Sequence, residues 1–253
     1  LFEAFWLLPM VPLVTLPEDK GWATYFTVLT EVRYLESLMQ TPVLSAVVTV
    51  VSLLLAATVG LYLGRRMFAG RRLLIAALTM PLAFPGVIVG FFVILLGGRQ
   101  GTFANFSEWL TGTRITFAYG LFGLFIAYVY FSLPRAIVAF TAAVETMGEE
   151  LEDAARSLGA SARWIARDVW LPALAPTAMA VGAILFATAM GAFGTAFTLS
   201  SRYEVLPITI YNEFVNYANF ALAASLSIAL GIITWLALFI ARRFGPATPA
   251  GGA

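Results

Sequence analysis

Long runs of apolar residues without a charged side chain divide the sequence into regular segments. Five runs are long enough to cross a bilayer, because a spanning helix needs roughly 20 mostly apolar residues. The runs cover residues 37–64, 73–98, 115–134, 169–201 and 214–241. This pattern predicts an all-α fold, a polytopic transmembrane helical bundle.

The first residues favour a sixth spanning helix. Leu1 to Leu16 carry a single charge, on Glu3. A cleaved signal peptide is the alternative, but no basic segment precedes the apolar run and no small-residue cleavage site follows it. We therefore expect about six spanning helices in one transmembrane domain, residues 1–245, and a disordered tail at residues 246–253.

The composition supports a membrane location. The 253-residue chain is 60% hydrophobic and 11% charged, with a mean hydropathy of +0.88. Soluble domains are about 45–50% apolar and about 25% charged, so this chain has too few polar side chains to cover a surface in water. We expect the lipid bilayer to surround it. The net charge of +1 gives no reason to expect a nucleic-acid partner.

Basic residues collect in alternate connections between the predicted helices. One set comprises Arg65, Arg66, Arg71, Arg72, Arg135, Arg156, Arg163, Arg167, Arg242 and Arg243. The smaller set comprises Lys20, Arg33, Arg99, Arg114 and Arg202. Because basic residues are enriched in cytoplasmic loops, we expect loops 65–72 and 145–168 and both termini in the cytoplasm.

The residue types that are missing exclude several kinds of site. The sequence has no cysteine and no histidine, so it can form neither a Ser-His-Asp triad nor an imidazole or thiolate metal site. Lys20 follows Asp19 and is the only lysine, so the Gly-Lys pair of a phosphate-binding loop is missing. We expect no catalytic residue and no metal site, and any ATPase must be another chain.

Small residues at four-residue intervals predict close helix packing, since they let backbones approach in lipid. They are Ala183, Ala187, Gly191 and Thr195, then Ala223, Ser227 and Gly231, and the pair Gly86 and Gly90. Packing within the bundle and an interface between subunits both fit this pattern.

Prolines interrupt two of the apolar runs. Pro81, Pro85 and Gly86 fall inside the third run, and Pro134 lies at the end of the fourth. Proline removes a helical hydrogen bond and kinks the helix, and broken helices in membranes usually border a cavity. These residues are therefore candidates for a gate or for a simple kink.

The loop of residues 145–171 has a helical pattern of its own. Its apolar positions share one helical face, and acidic residues crowd its first turns, where the helix dipole favours them. Gly159 is suited to end this helix, and Ser161 to cap a second one that leads to Pro172. Such a segment would dock onto a partner or lie on the membrane, although its acidity disfavours an anionic leaflet.

The same segment resembles the EAA motif of ABC importer permeases. That motif reads Glu-Ala-Ala, three residues, Gly, nine residues, Ile, one residue, Leu-Pro. Here Asp153-Ala154-Ala155 precedes Gly159 by three residues, and Val169 and Leu171-Pro172 follow at the same spacing. Asp153 replaces Glu, which keeps the charge but shortens the carboxylate side chain. Val169 replaces Ile, which keeps an apolar side chain.

The resemblance implies the membrane-spanning subunit of an ATP-driven importer in the bacterial inner membrane. It implies a partner dimer of ABC ATPase subunits that binds ATP and Mg, a second permease, identical or related, and a periplasmic or lipid-anchored binding protein. The chain itself would bind no cofactor and would not be an enzyme. The implied coupling residues are Glu152, Asp153, Ala154, Ala155, Arg156, Gly159 and Ala160. An ATP-independent carrier or channel is the alternative.

The substrate is suggested only by a weaker resemblance. Residues 191–197 and 202–213 resemble permeases for polyamines, ferric iron, sulfate or molybdate, and phosphonates, and among these a polyamine such as spermidine or putrescine is favoured. An acid beside amides and a phenol could meet a cation, or could form a solvated turn that contacts the binding protein. The candidate path residues are Tyr211, Asn212, Glu213 and Asn216.

Overall fold

The computed structural model describes residues 8, 10–19, 23–200 and 203–244. Helices dominate the described part of the chain, and it contains no β-strand. The first seven α-helices are α1 (Met10–Asp19), α2 (Ala23–Thr30), α3 (Val32–Arg65), α4 (Arg71–Thr79), α5 (Gly86–Gly97), α6 (Thr102–Thr111) and α7 (Leu121–Thr146). The remainder are α8 (Glu150–Ser157), α9 (Ala162–Ile165), α10 (Leu171–Met190), α11 (Phe193–Leu199), α12 (Leu206–Tyr211) and α13 (Phe220–Phe244).

Five helical segments in the described residues are long and apolar enough to cross a membrane. They are Val32–Arg65, Gly86–Thr111, Leu121–Thr146, Ala162–Met190 and Phe220–Ala241. The predicted all-α transmembrane bundle is thereby confirmed. Large apolar side chains cover much of the outer surface, as expected of a protein whose solvent is lipid.

The central contact of the bundle is between α3 and α7, which pack along each other. Gly60 and Gly64 lie one turn apart on α3 and face Phe140 and Val144 of α7. A Cβ at Gly60 would come within 2.6 Å of the Phe140 Cβ. These glycines let the two backbones approach, the role predicted for Gly86 and Gly90, which face Thr195 and Thr198.

Two of the predicted spans are broken helices. The third run stops at Thr79, continues as a 3₁₀ turn at Met80–Ala83, and begins again at Gly86 after Pro85. The predicted break at these prolines is therefore confirmed. The fifth run breaks as well, between Met190 and Phe193, which the charge-free pattern did not indicate.

The fourth span differs from its prediction at Pro134. The helix does not end there but continues to Thr146, with Pro134 buried inside it. Arg135 therefore lies within α7 rather than in a loop, with its guanidinium 5.9 Å from the centre of the Phe131 ring. One lost hydrogen bond is tolerated in a helix that neighbouring helices hold in place.

The apolar run at the start of the chain is partly described by the structure. Within the apolar opening run, the structure describes helix α1, which packs against α13. Residues 1–7 and 9 lie outside the described residues, and so does the predicted tail at residues 246–253.

Helix α3 fixes the two ends of the bundle. Its 34 residues span about 51 Å at roughly 1.5 Å per residue. Arg65, at one end, bonds Glu152 of the 145–171 loop, and Arg33, at the other, bonds Glu204. Loops 65–72 and 145–168 therefore lie at the same end, as the arginine distribution predicts.

We expect Gly60→Ala to destabilise the bundle by about 1–3 kcal/mol, because the added methyl group must displace Phe140 or the backbone of α7. The loss of stability should appear as a lower Tm of the detergent-solubilised protein, with gel filtration after heating as the readout. Gly231→Ala is the matched control, since a Cβ there meets no atom within 4 Å. An equal Tm for Gly60→Ala and wild type would contradict the packing assignment.

Candidate functional site

The predicted coupling segment folds as a helix, a glycine turn and a second helix. Helix α8 ends at a turn in which Gly159 has φ +82°, the left-handed conformation predicted for it. The N–H of Ala160 donates to the Ala155 carbonyl at 3.0 Å and closes the turn. Ser161 precedes α9 with extended backbone, but its side chain makes no capping bond. A π-helical turn at Ala166–Trp170 then joins α9 to α10.

Glu152 faces the bundle instead of the solvent. It is 4% exposed, and its Oε1 accepts a hydrogen bond from Arg65 Nε at 2.8 Å. Arg65 also donates to the carbonyls of Val144, at 3.0 Å, and Met147, at 2.7 Å. Glu152 is therefore unavailable for direct contact with another chain, unlike the other acidic residues of α8.

The remaining predicted coupling residues form an outward surface. Asp153, Ala154 and Arg156 are exposed, whereas Ala155 and Ala160 are half-buried. Two large apolar side chains stand beside them, Leu151 at 64% exposure and Leu158 at 88%. Apolar side chains this exposed at a charged end of the bundle are typical of a surface that another protein or a membrane covers.

A cavity of about 420 Å³ lies between α8 and the bundle. Its lining combines three arginines with three acids and residues of α3 and the π-helical turn: Leu61, Tyr62, Arg65, Arg66, Glu149, Glu152, Asp153, Arg156 and Trp170. The indole Nε1 of Trp170 is buried there without a hydrogen-bond partner. Helix α8 is thus held away from the bundle by a polar space rather than packed onto it.

A second polar cluster lies at the opposite end of α3. Arg33 makes two bonds to the Glu204 carboxylate, at 3.2 and 3.4 Å, and lies 5.5 Å from the centre of the Tyr217 ring. Glu213 is 3% exposed and accepts a bond from the Tyr34 hydroxyl at 3.0 Å, with Arg33 Nη1 3.8 Å away. Glu213 is therefore a buried, partnered carboxylate and not part of a solvated turn.

The candidate path residues separate into two groups. Tyr211, Asn212 and Asn216 line a cavity of about 360 Å³ together with Phe197, Ser200, Glu204 and Ile208. Asn216 Nδ2 donates to Asn212 Oδ1 at 2.9 Å across the π-helical turn Asn212–Asn216. Glu213, on the same turn, directs its carboxylate to Tyr34, away from this cavity.

Hydroxyl groups support the backbone at the broken helices. Thr195 Oγ1 donates to the Gly86 carbonyl at 3.1 Å, and the Tyr128 hydroxyl donates to the Ala192 carbonyl at 2.9 Å. These bonds satisfy backbone groups that lipid could not. The two breaks lie next to each other, because α5 packs on α11. Pro81, Pro85 and Gly86 belong to this region, whereas Pro134 lies in unbroken α7.

Sequence reasoning missed the partners of the charged residues. Arg33, Arg65 and Arg71 were assigned only to the connections between helices. Arg71 pairs with Glu145, and the other two arginines belong to the clusters above. Pairs separated by 74 to 171 positions leave no local signal. Among the residues that the structure describes, no group of three or more acids forms a metal site.

Comparison with known proteins identifies the family. Residues 56–248 match the model of the binding-protein-dependent transport system inner membrane component. The chain belongs to this family. The matched region runs from the last third of α3 to beyond α13 and includes the whole segment that resembles the EAA motif.

This family member is similar to named transport permeases along most of its length. It is 28% identical over 252 residues to the sulfate transport system permease protein CysT of Escherichia coli. The alignment covers 94% of this chain and 90% of that protein. It is 27% identical to the molybdenum transport system permease protein ModB of Mycobacterium tuberculosis, with 95% and 90% covered. These relatives do not support the expected polyamine substrate, and Glu213, which suggested a cation, is already partnered.

Solved structures share the fold. A bacterial alginate ABC transporter in complex with a periplasmic protein has a chain that matches 99% of this permease and 93% of its own length, with a TM-score of 0.80 and 17% identity. A chain of the inward-facing MetNI methionine ABC transporter gives a TM-score of 0.59 over 85% of this permease. The fold is thus that of ABC importer permeases, as the coupling motif predicted.

We expect Gly159→Ala to disturb the turn after α8, because a left-handed conformation costs a residue with a Cβ about 1–2 kcal/mol. Trypsin should then cleave faster after Arg156 and Arg163, which flank the turn, as quantified by mass spectrometry of the membrane-embedded protein. Gly112→Ala is the control, since Gly112 also has positive φ (+71°) and free space around it, far from α8 in the sequence. Unchanged cleavage in Gly159→Ala would contradict the requirement for glycine.

Proposed function

We propose that this permease carries a tetrahedral oxyanion, sulfate or molybdate, across the inner membrane in an importer driven by a separate ATPase. The observation that carries the proposal is the similarity, along more than nine-tenths of the chain, to permeases of sulfate and molybdenum transport systems. Alternatives among small solutes are phosphonate and ferric iron, which the sequence also suggested. As a member of a transport family the chain is not an enzyme.

The outer cavity offers suitable groups for an oxyanion. Tyr211, Asn212 and Asn216 bring hydroxyl and amide donors to its wall, and an oxyanion accepts hydrogen bonds from such donors. Glu204 is the acid that lines the cavity, and Arg33 holds its carboxylate through two bonds. Pairing with a guanidinium reduces the repulsion that a free carboxylate would exert on a passing anion.

The coupling surface supports the role of the ATPase partner. Leu151, Ala154 and Leu158 present an apolar face bordered by Asp153 and Arg156. We propose that two ATPase subunits, which bind ATP and Mg, cover this face and its counterpart on a second permease, identical or related. Their closure on ATP would move both α8 segments and open the pair toward a periplasmic or lipid-anchored binding protein. This arrangement requires α8 on the cytoplasmic side, and we propose the same side for both termini.

We expect vesicles that contain the assembled transporter to take up labelled sulfate or molybdate when ATP and the binding protein are supplied. Asn212→Asp should reduce uptake about tenfold, equivalent to about 1.4 kcal/mol, because it adds a negative charge to the cavity wall. Asn105→Asp, on the exposed face of α6, is the control and should leave uptake unchanged. Uptake of putrescine but neither oxyanion would overturn the substrate, and uptake without ATP would indicate a carrier or channel.

Leu158→Asp should prevent the ATPase from co-purifying with the permease, because it places a charge in the proposed contact. The fold of the permease should be unaffected, since Leu158 is 88% exposed. Quantitative affinity purification of the co-expressed complex measures the ratio of the two subunits. Leu110→Asp changes another exposed leucine, at 64% exposure, beside Glu108 on α6, and should keep the ratio of wild type. Equal ATPase recovery in both variants would exclude Leu158 from the contact.

A further inference from the structure

Helix α8 is connected to the rest of the chain mainly through one side chain. Of its eight residues, all described, only Glu152 is buried. The 420 Å³ cavity separates neighbouring parts of α8 from α3 and Trp170. The short helix therefore relies on the bonds of Glu152, and not on apolar packing, to keep its place under the bundle.

The partner of Glu152 joins three helix ends. Arg65 is the last residue of α3, and its side chain is 15% exposed. Besides Glu152, it binds the carbonyls of Val144 and Met147 at the end of α7. The C-terminal carbonyls of a helix lack intrahelical partners and attract a cation. Arg65 thus fastens α8 to the ends of the two helices that form the centre of the bundle.

Arg156 adds a weaker link to the same carboxylate. Its Nη2 lies 3.6 Å from Glu152 Oε2, and its side chain is 61% exposed. The pair lies within α8 and does not reach the bundle, so it orients the Glu152 carboxylate without fastening the helix. The connection to the bundle depends on Arg65.

A displacement of α8 would be transmitted to the outer end of the molecule through α3. This helix is continuous from Val32 to Arg65, and Arg33 at its start holds Glu204 on the wall of the outer cavity. A largely buried ion pair is costly to break, because breaking it leaves a buried charge without a partner. A pull on Glu152 therefore moves α3 along with α8.

We infer that Glu152 and Arg65 are positioning residues that convert motion of α8 into motion of α3, while Leu151, Ala154 and Leu158 form the contact with the ATPase. The inference deepens the proposed function and rests on it. It separates two roles within the segment that resembles the EAA motif: an outward face that binds the partner, and an inward ion pair that passes the motion to the membrane helices.

Glu152→Gln keeps the shape of the side chain and removes its charge. We expect this variant to retain the ATPase at the wild-type ratio but to lose about tenfold in solute transported per ATP hydrolysed, a usual size for coupling between sites. Both quantities are measured on the reconstituted transporter with its ATPase and binding protein, using labelled sulfate or molybdate. A purely structural role would lower the yield and Tm without changing the transport-to-hydrolysis ratio of the protein that assembles.

The natural absence of cysteine permits a rescue experiment. The double variant Arg65→Cys with Glu152→Cys should be uncoupled, and a flexible bis-maleimide that joins the two thiols should restore the transport-to-hydrolysis ratio. A reagent with a reducible linker should lose the effect when reductant is added. The matched control removes the exposed pair of Glu108 and Arg114 by Glu108→Cys with Arg114→Cys and should stay coupled before and after cross-linking.

Three results would overturn the inference: normal coupling in Glu152→Gln, normal coupling in the double-cysteine variant before cross-linking, or a cross-linked variant that remains uncoupled. Failure of the proposed function gives a different result, because the wild-type chain would then neither retain an ATPase nor transport an oxyanion. Retention of the ATPase by wild type and Glu152→Gln alike, with loss of coupling only in the variant, supports both.

Discussion

The structure depends on keeping ion pairs and free backbone groups out of hydrocarbon. Lipid offers no hydrogen bond, so the ion pairs collect at the two ends of the bundle and the helices between them meet through glycines and buried hydroxyls. Helix α3 shows both parts of this solution. Gly60 and Gly64 press against α7 in its apolar part, and Arg33 and Arg65 bind carboxylates at its two ends. The polar clusters that matter for function are located where the membrane allows them to be.

The same constraint explains why interrupted helices are found where side chains can reach their backbone. The breaks at 80–85 and 191–192 leave carbonyls and amides outside regular helices. Thr195 and Tyr128 bind carbonyls there, and the contact of α5 with α11 brings the two irregular stretches together. Pro134 causes no such break, because α7 stays helical around it. Proline alone therefore does not decide where a spanning helix opens.

Much of the fold and of the coupling segment could be predicted from local pattern. Charge-free runs located the spans, Gly159 marked its left-handed turn, and Pro81 and Pro85 marked a break, since each of these depends on neighbouring residues only. The direction of Glu152 and Glu213 could not be predicted in this way. The periodicity of a helix shows which residues share a face but does not show which residues of another helix lie opposite. Both carboxylates bond to side chains distant in sequence, Glu152 to Arg65 and Glu213 to Tyr34. The apolar face of α8 points away from the bundle, contrary to the usual rule, as the proposed contact with another chain requires.

The sparse attachment of α8 has a consequence for how such a segment can diverge. Its outward residues touch little of their own chain, so they can be substituted without repacking the bundle. The permease could therefore come to bind a different ATPase through a few surface substitutions. Glu152 and Arg65 lack this freedom, because a change in either leaves a charge stranded beside a polar cavity. On the proposed division of roles, compatibility with the ATPase and the link to α3 belong to different side chains. A segment grafted from another permease would then work here only if it brought an acid to the position of Glu152.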